Sequence, residues 1–386
     1  MVRTADAVPL EQVHRALVIN LRHIGDVLLS TPIPQVIKNH APHCEVDVLV
    51  YGESAAMVEE HPAISRIHAI DRRWKSLGPI ARILAELKLY RAMKERGYDL
   101  VVALTPHRRS QWLTKALKPR WAVAPSYPAA GKGWKQTFSH VVPRPIATWR
   151  HTVEIYLDAL RRIGCMPLIQ ERGLVLVPGG NAEKSVASML DGLALRGKEF
   201  VVIHPGSRWT FKCWPAASMA SLVDQLGEAG WKVVLTAGPD PAEMEMAAQI
   251  QVLCKTPVAD LAGRLSLKEL AALVAKARLF VGVDSAPMHI AAAMNTPALV
   301  IFGPSGSREW GPWSANAVVA TNSDYQCVPC GRAGCADSKV SECLETLAVA
   351  KVADLAMKML AGDVPAGGIP SPWIAHLATP GHAQSA

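Results

Sequence analysis

The sequence feature that most constrains the fold lies at residues 279–302, where two apolar runs flank a segment of small residues. The first run ends at Asp284-Ser285, and Pro287 follows where the first turn of a helix tolerates proline. This order predicts a parallel β-α-β unit. The start of such a helix can bind a phosphate, although a strand-to-helix turn that is merely capped by Asp284 or Ser285 has the same sequence.

Length and charge limit the class of protein. A chain of 386 residues, half of them hydrophobic, can bury two cores, so we expect two domains. The net charge of +8 favours an acidic partner such as a phosphorylated sugar, an anionic membrane or nucleic acid. With 6% aromatic residues and no stacking motif, nucleic acid is disfavoured. Neither a signal peptide nor a spanning helix is predicted, so we expect a cytoplasmic protein.

The first half of the chain alternates short apolar runs with helical segments, a pattern typical of a helix-covered parallel sheet. The first run, residues 15–20, is followed by Gly25-Asp26 and a predicted helix over residues 27–39. Gly25 allows a close approach of the backbone to a ligand, and Asp26 falls at the carboxyl edge of the sheet. Asp26 is therefore a candidate base, although capping of the helix explains the same residue.

Basic residues follow the later strands of this half. Several basic loops at one sheet edge would attract an anionic substrate, whereas single basic residues usually only solvate a surface. A predicted helix over residues 80–96 has Leu84 and Leu87 on one side and several basic residues around it. The candidate acceptor-binding residues are Gly25, Arg72, Arg73, Lys75, His107, Arg108, Arg109, Lys132 and Lys135.

The second half begins with an apolar run at residues 199–204, and the loop after it carries Ser207 and Lys212. Small residues, a hydroxyl and a cation together suit a diphosphate. Asp240 and Glu243 follow the next strand, and either acid could accept hydrogen bonds from a ribose. Neither half contains the glycine fingerprint of nicotinamide enzymes or the phosphate loop of ATPases.

These patterns predict five segments. We expect a first domain, a connection, a second domain, a terminal helix and a mobile tail. The predicted ranges are 1–170, 171–198, 199–348, 349–362 and 363–386.

Four motifs in order resemble those of the ADP-heptose:lipopolysaccharide heptosyltransferases, glycosyltransferase family 9. They are Gly25-Asp-Val-Leu-Leu-Ser-Thr-Pro32, His204-Pro-Gly-Ser207 with Lys212 and Trp214-Pro215, Leu261-Ala-Gly263, and Asp284-Ser-Ala-Pro-Met-His289. The resemblance covers roughly residues 15–360 and implies a glycosyltransferase B fold, with two Rossmann-like domains facing across a cleft. It implies that the N-terminal domain binds the acceptor, that the C-terminal domain binds the nucleotide sugar, and that the helix over residues 349–362 packs back on the first domain. It also implies an inverting transfer of heptose from ADP-L-glycero-D-manno-heptose to the inner core of lipopolysaccharide, without a catalytic metal.

The resemblance assigns roles to individual residues. Asp26 matches the general base, and Lys212 would stabilise the departing diphosphate. Asp284 matches a donor-contacting acid, and His289 either contacts phosphate or is packed. The implied donor-binding residues are Ser207, Lys212, Asp240, Glu243, Gly263, Asp284, Ser285, Ala286, Pro287, Met288 and His289.

Four of the eight cysteines are clustered with the spacing C-x2-C-x4-C-x7-C. Such a cluster could hold a structural zinc or iron, or it could remain as reduced thiols. A cysteine-rich stretch here is also similar to the family pattern. The four are Cys327, Cys330, Cys335 and Cys343.

The expected partners are ADP-heptose, the lipopolysaccharide inner core and the anionic inner-membrane surface, which implies an enzyme peripheral to that membrane. The stretch from Leu21 to Leu29 resembles the branch that adds a third heptose. A protein O-heptosyltransferase, or a transferase for another nucleotide sugar, remains an alternative. A non-enzymatic nucleotide-sugar binder is the other alternative.

Overall fold

The computed structural model of the chain describes residues 6–126, 131–143, 150–363 and 373–377, apart from the side chains of Lys75, Lys132, Trp373 and His376. The chain divides into two compact units, Met1–Val177 and Pro178–Ala386. Each unit contains one parallel sheet accompanied by helices, so the predicted α/β class is confirmed.

The first unit has a six-stranded sheet in the order β3-β2-β1-β4-β5-β6. Its strands are β1 (Arg15–Ile19), β2 (Glu45–Tyr51), β3 (Arg66–Ile70), β4 (Leu100–Ala103), β5 (Trp121–Pro125) and β6 (His140–Val142). Its helices are α1 (Ile24–Leu29), α2 (Pro32–His40), α3 (Pro79–Lys94), α4 (Arg108–Leu117), α5 (Gly131–Thr137) and α6 (Thr152–Arg162). The strand order reverses between β1 and β4, and the crevice outside such a switch point is where open parallel sheets bind ligands.

The predicted helix over residues 27–39 is divided into α1 and α2. The hydroxyls of Ser30 and Thr31 donate to the carbonyls of Val27 and Leu28, which satisfies acceptors at the end of α1. Pro32 then begins α2, because proline is tolerated at the first position of a helix but not in its interior. The short α1 carries Asp26 in its first turn.

The second unit has a seven-stranded sheet in the order β13-β12-β11-β10-β7-β8-β9. Its strands are β7 (Phe200–His204), β8 (Lys232–Leu235), β9 (Val258–Asp260), β10 (Leu279–Val283), β11 (Ala298–Ile301), β12 (Ala317–Asn322) and β13 (Trp373–Leu377). Its helices are α7 (Gly180–Gly192), α8 (Ala216–Glu228), α9 (Pro241–Leu253), α10 (Leu267–Lys276), α11 (Ala286–Ala293), α12 (Ser307–Trp310), α13 (Glu342–Glu345) and α14 (Val349–Ala361). The predicted β-α-β unit is formed by β10, α11 and β11.

The structure corrects three of the predicted segment assignments. The connection over 171–198 contains α7, which packs on α10 within the second unit. The predicted terminal helix, α14, packs on α8, and its Val352 and Ala356 are fully buried in the core of the second unit. An apolar helix face only requires a partner, and the sequence does not specify which unit supplies it.

The predicted tail over residues 363–386 is the third correction. Within it, residues 373–377 form β13, which extends the second sheet by pairing with β12. The rest of the predicted tail after Asp363 lies outside the described residues. In the described part of the chain, none of the helices combines the length and the apolar content that a membrane-spanning segment needs.

Candidate functional site

Asp26 lies just beyond the carboxyl end of β1, and its side chain is held in place. Asp26 is 7% exposed, and its Oδ1 accepts a hydrogen bond of 3.1 Å from the hydroxyl of Tyr156. The Nε of Arg22 lies 2.7 Å from the same oxygen. Asn20 adds a hydrogen bond of 3.0 Å from its Nδ2 to the main-chain carbonyl of Asp26. A carboxylate fixed in this way at a ligand-binding edge is suited to accept a proton.

Tyr156 was not singled out from the sequence because it lies on α6, 130 residues after Asp26. Burial, followed by the negative charge of Asp26, raises the pKa of the Tyr156 phenol well above its usual value. The hydroxyl therefore stays protonated and acts as a donor. It positions the carboxylate and does not compete with it as a base.

A cavity of about 280 Å³ lies at the same sheet edge, beyond the ends of β2, β3 and β4. It contains three of the predicted acceptor-binding residues, Arg72, His107 and Arg109, and also Arg82, which was not in that set. The lining residues are Tyr51, Ile70, Asp71, Arg72, Trp74, Arg82, Glu86, His107 and Arg109. Arginine and aromatic side chains together suit a ligand with an anionic group and an apolar sugar face.

Several of the cavity charges are already paired. Arg109 forms an ion pair with Glu86, and burial lowers the pKa of Arg109 from its usual value. The guanidinium of Arg72 lies 4.1 Å over the ring of Tyr51, and its Nε is 3.0 Å from a carboxylate oxygen of Glu53. An incoming phosphate would therefore compete with carboxylates of the protein for these two arginines.

Three of the other predicted basic residues do not line this cavity. Arg73 points outward and pairs with Asp71, while Arg108 and Lys135 are exposed on α4 and α5. The side chains of Lys75 and Lys132 lie outside the described part of the structure. Of the predicted acceptor-binding residues, Arg72, His107 and Arg109 therefore line this cavity, and Arg73, Arg108 and Lys135 do not.

In the second unit, the predicted cation and the predicted acid form a pair. Lys212 Nζ lies 2.6 Å from Asp284 Oδ2, and the Ser207 hydroxyl donates to the Asp284 carbonyl over 3.1 Å. Asp284 and Ser207 follow the adjacent strands β10 and β7, so the parallel register brings them together. The Ser285 side chain does not cap α11 but donates to the Val283 carbonyl. A cation beside such a helix start is an arrangement suited to a diphosphate.

The two candidate ribose acids have different surroundings. Asp240 is exposed and caps α9 by accepting from the Ala242 N–H over 3.0 Å. Glu243 reaches back to the sheet, where its Oε2 accepts from the Gly238 N–H over 2.9 Å and lies 3.4 Å from His204 Nε2. The hydrogen bond from His204 lowers the pKa of Glu243, so its carboxylate remains available as an acceptor.

The position of Glu243 also explains why two residues of the site are glycines. A Cβ on Gly206 or on Gly238 would come within 2.9 Å of the Glu243 side chain. Gly263 has a φ of +68°, and its N–H donates to the carbonyl of Ala237 over 3.0 Å. Gly206 and Gly238 therefore allow the backbone to approach Glu243 at the carboxyl edge of β7 and β8.

The remaining predicted donor residues lie on the first turns of α11. Ala286 is partly exposed, whereas Pro287, Met288 and His289 are buried. Met288 is fully buried, so its side chain packs in the interior and only its backbone could meet a ligand.

All eight cysteines are free thiols. Burial, with a further contribution from the neighbouring cysteines of the cluster, raises the pKa of Cys343 to about 11. Within the described residues, which include all four clustered cysteines, no three His, Cys, Asp or Glu side chains are arranged to hold a metal ion. The structure therefore gives no support to the hypothesis of a structural zinc or iron.

The chain is similar to known proteins over most of its length. Residues 86–341 match the sequence profile of "Glycosyltransferase family 9 (heptosyltransferase)". The chain is 35% identical over 312 residues to lipopolysaccharide heptosyltransferase 3 of Escherichia coli, covering 80% of this chain and 89% of that protein.

Two solved structures have the same fold. A family 9 glycosyltransferase of Veillonella parvula superposes with a TM-score of 0.79 at 22% identity, covering 93% of this chain and all of that one. The Escherichia coli heptosyltransferase WaaC, solved with ADP-2-deoxy-2-fluoro heptose, gives a TM-score of 0.61 at 21% identity over 79% of this chain and 92% of that one. The fold likeness confirms the predicted glycosyltransferase B class.

Proposed function

Because the chain belongs to glycosyltransferase family 9, the heptosyltransferase family, we propose that it transfers heptose from ADP-L-glycero-D-manno-heptose to the inner core of lipopolysaccharide. The 35% identity to a lipopolysaccharide heptosyltransferase 3 favours the branch that adds a third heptose. The observation that carries the donor assignment is the Lys212–Asp284 pair beside the start of α11. The ADP-sugar analogue bound to WaaC supports an ADP-linked donor.

In the proposed reaction, Asp26 is the general base. The acceptor hydroxyl oxygen attacks the anomeric carbon of the heptose, and its proton passes to the Asp26 carboxylate. The bond from that carbon to the β-phosphate oxygen breaks, and its electron pair leaves with ADP. Attack opposite the leaving group inverts the configuration. Tyr156 and Arg22 hold the carboxylate at the sheet edge where this proton is released.

The departing ADP gains negative charge, and Lys212 with the start of α11 stabilises that charge where it develops. Asp284 keeps the Lys212 ammonium in position before the donor arrives. Ser207 fixes the turn that carries Asp284 through its bond to the Asp284 carbonyl. No catalytic metal is needed in this scheme, because the cation and the helix start supply the compensating charge.

We assign the ribose contact to Glu243, since Asp240 already caps α9. The acceptor is proposed to bind at the 280 Å³ cavity, where Arg72, Arg82 and Arg109 can meet a phosphorylated core sugar. The acceptor class also leads us to propose a cytoplasmic enzyme peripheral to the inner membrane.

Isothermal titration tests the donor assignment. The protein is titrated with ADP-heptose, ADP-glucose and UDP-glucose, and the Lys212→Ala variant is titrated beside it. We expect selective binding of ADP-heptose and a loss of about tenfold or more in the variant, because a charge-assisted contact to phosphate is removed. The matched control is Lys358→Ala, since Lys358 forms a Lys–Asp pair with Asp354 on the surface of α14 at 2.8 Å.

If the protein bound another nucleotide sugar more tightly, that sugar would replace ADP-heptose as the proposed donor. The assignment of the fold would stand. Binding of ADP-heptose without transfer to any lipopolysaccharide core acceptor would favour one of the two alternatives. The acceptor would then be a protein, or the chain would bind the nucleotide sugar without transferring it. An equal loss of binding in Lys212→Ala and Lys358→Ala would contradict the proposed phosphate site.

A further inference from the structure

Helix α3 exposes an apolar face that a folded protein normally buries. Ile80, Ile83, Leu84 and Leu87 are 75%, 58%, 61% and 40% exposed. Their spacing of i, i+3, i+4 and i+7 places them on one side of the helix. We call these four residues the α3 apolar face. Single exposed apolar residues need no explanation, but a contiguous patch on one helix face indicates an interaction surface.

The opposite side of α3 attaches the helix to the first unit. Met93 is fully buried, and Leu89 packs against the core of that unit. Glu86 pairs with Arg109 of α4. Helix α3 therefore packs on the first unit through the side opposite the α3 apolar face. This packing leaves the α3 apolar face exposed.

The surroundings of the α3 apolar face are basic. Lys88, Arg91 and Lys94 lie on or beside this face and are exposed, whereas Arg82 and Glu86, the single acid of the helix, line the cavity on the other side. The acid is already neutralised by Arg109. An exposed apolar face surrounded by cations is complementary to a surface that is apolar inside and anionic outside.

An aromatic pair lies beside this face. Trp112 of α4 is 58% exposed, and its ring centroid is 6.2 Å from that of Tyr90 on α3. Lys94 Nζ lies 5.6 Å from the Tyr90 ring centroid. Tryptophan and tyrosine are enriched at the headgroup level of membranes, where an apolar ring with a polar edge is favoured.

We propose that the α3 apolar face docks on an anionic lipid bilayer, with Ile80, Ile83, Leu84 and Leu87 inserted at the headgroup boundary. Lys88, Arg91 and Lys94 then contact lipid phosphates, and the helix lies in the plane of the interface without crossing the membrane. The partner is a lipid surface because Lys88, Arg91 and Lys94 flank the apolar residues on a helix whose only acid is already paired.

The same helix connects docking to the cavity. Arg82 and Glu86 of α3 line the 280 Å³ cavity assigned above to the acceptor. Docking therefore holds the cavity next to the lipid phosphates, where a membrane-anchored acceptor presents its sugars. This consequence rests on the proposed function, whereas docking itself does not.

Co-sedimentation of the full chain with vesicles tests the proposal. The vesicles contain phosphatidylcholine alone or phosphatidylcholine with phosphatidylglycerol, at low and at high salt. We expect binding to the anionic vesicles that weakens with salt, because the basic residues act through a screened surface potential. The double variant Ile83→Ser/Leu84→Ser should bind about tenfold or more weakly, since two inserted aliphatic side chains are lost.

The matched control is Val252→Ser/Leu253→Ser on α9 of the second unit, where Val252 is 86% and Leu253 49% exposed. This pair removes similar exposed apolar surface without basic surroundings of the same kind, so vesicle binding should be unchanged. Thermal unfolding of both variants establishes that neither change disturbs the fold.

Two outcomes overturn the proposal. Equal binding of the parent chain and of Ile83→Ser/Leu84→Ser to anionic vesicles would mean that another surface docks. Absence of vesicle binding, together with a change in sedimentation-velocity mass in the variant, would make this face a contact between copies of the chain.

Transfer assays keep the two proposals separate. With a delipidated core oligosaccharide, Ile83→Ser/Leu84→Ser should transfer heptose at the parent rate, and with acceptor embedded in vesicles it should be slower. If the parent chain bound anionic vesicles through α3 but transferred no heptose to either acceptor, the proposed function would fail and the docking face would stand.

Discussion

Two buried carboxylates of the first unit have similar partners but lie at opposite edges of the same sheet. Asp26 follows the carboxyl end of β1, and Asp47 lies in the first half of β2, toward the amino edge. Each is held by a tyrosine hydroxyl and an arginine Nε. The partners are Tyr156 and Arg22 for Asp26, and Tyr98 and Arg96 for Asp47.

The two sites differ in how far the protein encloses them. Asp47 is fully buried and has a third neighbour, His68, at 3.6 Å. Its arginine side chain is 16% exposed, whereas Arg22 beside Asp26 is 44% exposed. The arginine partner is therefore enclosed at Asp47, where the pair supports the fold, and partly exposed at Asp26, where a ligand can approach. The comparison predicts that changes at Asp26 reduce transfer, and that changes at Asp47 reduce stability.

Asp26→Asn should have the largest effect. We expect the rate of heptose transfer to fall by about 10²–10⁴-fold, because an amide cannot accept the proton of the acceptor hydroxyl. Affinity for ADP-heptose should stay within about twofold, since the donor contacts lie in the second unit. Single-turnover transfer and isothermal titration measure the two quantities. Asp47→Asn, assayed under conditions where it is folded, serves as the control and should transfer at the parent rate.

Asp26→Asn with an undiminished rate and normal folding would remove Asp26 as the base. A parallel loss of rate in Asp47→Asn would show that the assay responds to disturbance of the sheet and not to the proton transfer. Either result would break the comparison between the two carboxylates.

Asp47→Asn should have the next largest effect, on stability. Burial alone would raise the pKa of Asp47, but the hydrogen bonds from His68, Arg96 and Tyr98 outweigh it and lower the pKa to about 2. The ionised carboxylate therefore stabilises the fold above the unfolded-state pKa near 3.8, and this contribution is lost as the pH falls toward 2. Near neutral pH, we expect Asp47→Asn to lower the free energy of unfolding by about 2 kcal/mol.

Urea denaturation at several pH values measures this effect. The difference between the parent chain and Asp47→Asn should be constant above about pH 5 and shrink as the pH falls toward 2. Asp71→Asn is the control, because Asp71 pairs with the exposed Arg73 and should change stability little at any pH. A difference for Asp47→Asn that does not depend on pH in the acid range would mean that packing, and not charge, explains the loss.

The features that could be predicted from the sequence are those that depend on residues close to one another along the chain. The apolar runs predicted β1, β7 and β10, and Asp26 was found from its place after a strand. Strand β9 was missed, because it has three residues and none is buried. Strand β13 was missed because it follows residues without an apolar pattern.

Pairings between distant residues could not be predicted from the sequence. Lys212 and Asp284 were each identified, but their ion pair depends on the register of β7 and β10. Tyr156 carries no local signal of its role. The pattern of Leu84 and Leu87 predicted a helix with these residues on one side, and only the packing of α3 shows that this side is exposed.

The two tyrosines provide the finest test of the comparison. Tyr156→Phe removes the 3.1 Å hydrogen bond to Asp26, and Tyr98→Phe removes the 2.7 Å bond to Asp47. Both changes delete one oxygen from a buried ring, so both should cost about 1–2 kcal/mol of stability through a lost bond to a charged group. Only Tyr156→Phe should also slow transfer, by about tenfold, because the base is less well positioned.

A positioning role makes a specific kinetic prediction for Tyr156→Phe. The turnover number should fall while KM for ADP-heptose stays at the parent value, because the donor does not touch the tyrosine in the proposed reaction. Tyr98→Phe should leave both constants unchanged at a temperature where it is fully folded. Equal slowing by the two variants would mean that loss of stability, and not the orientation of Asp26, explains the rate. If only Tyr156→Phe slows transfer, the surroundings of Asp26 contribute to the reaction and those of Asp47 do not.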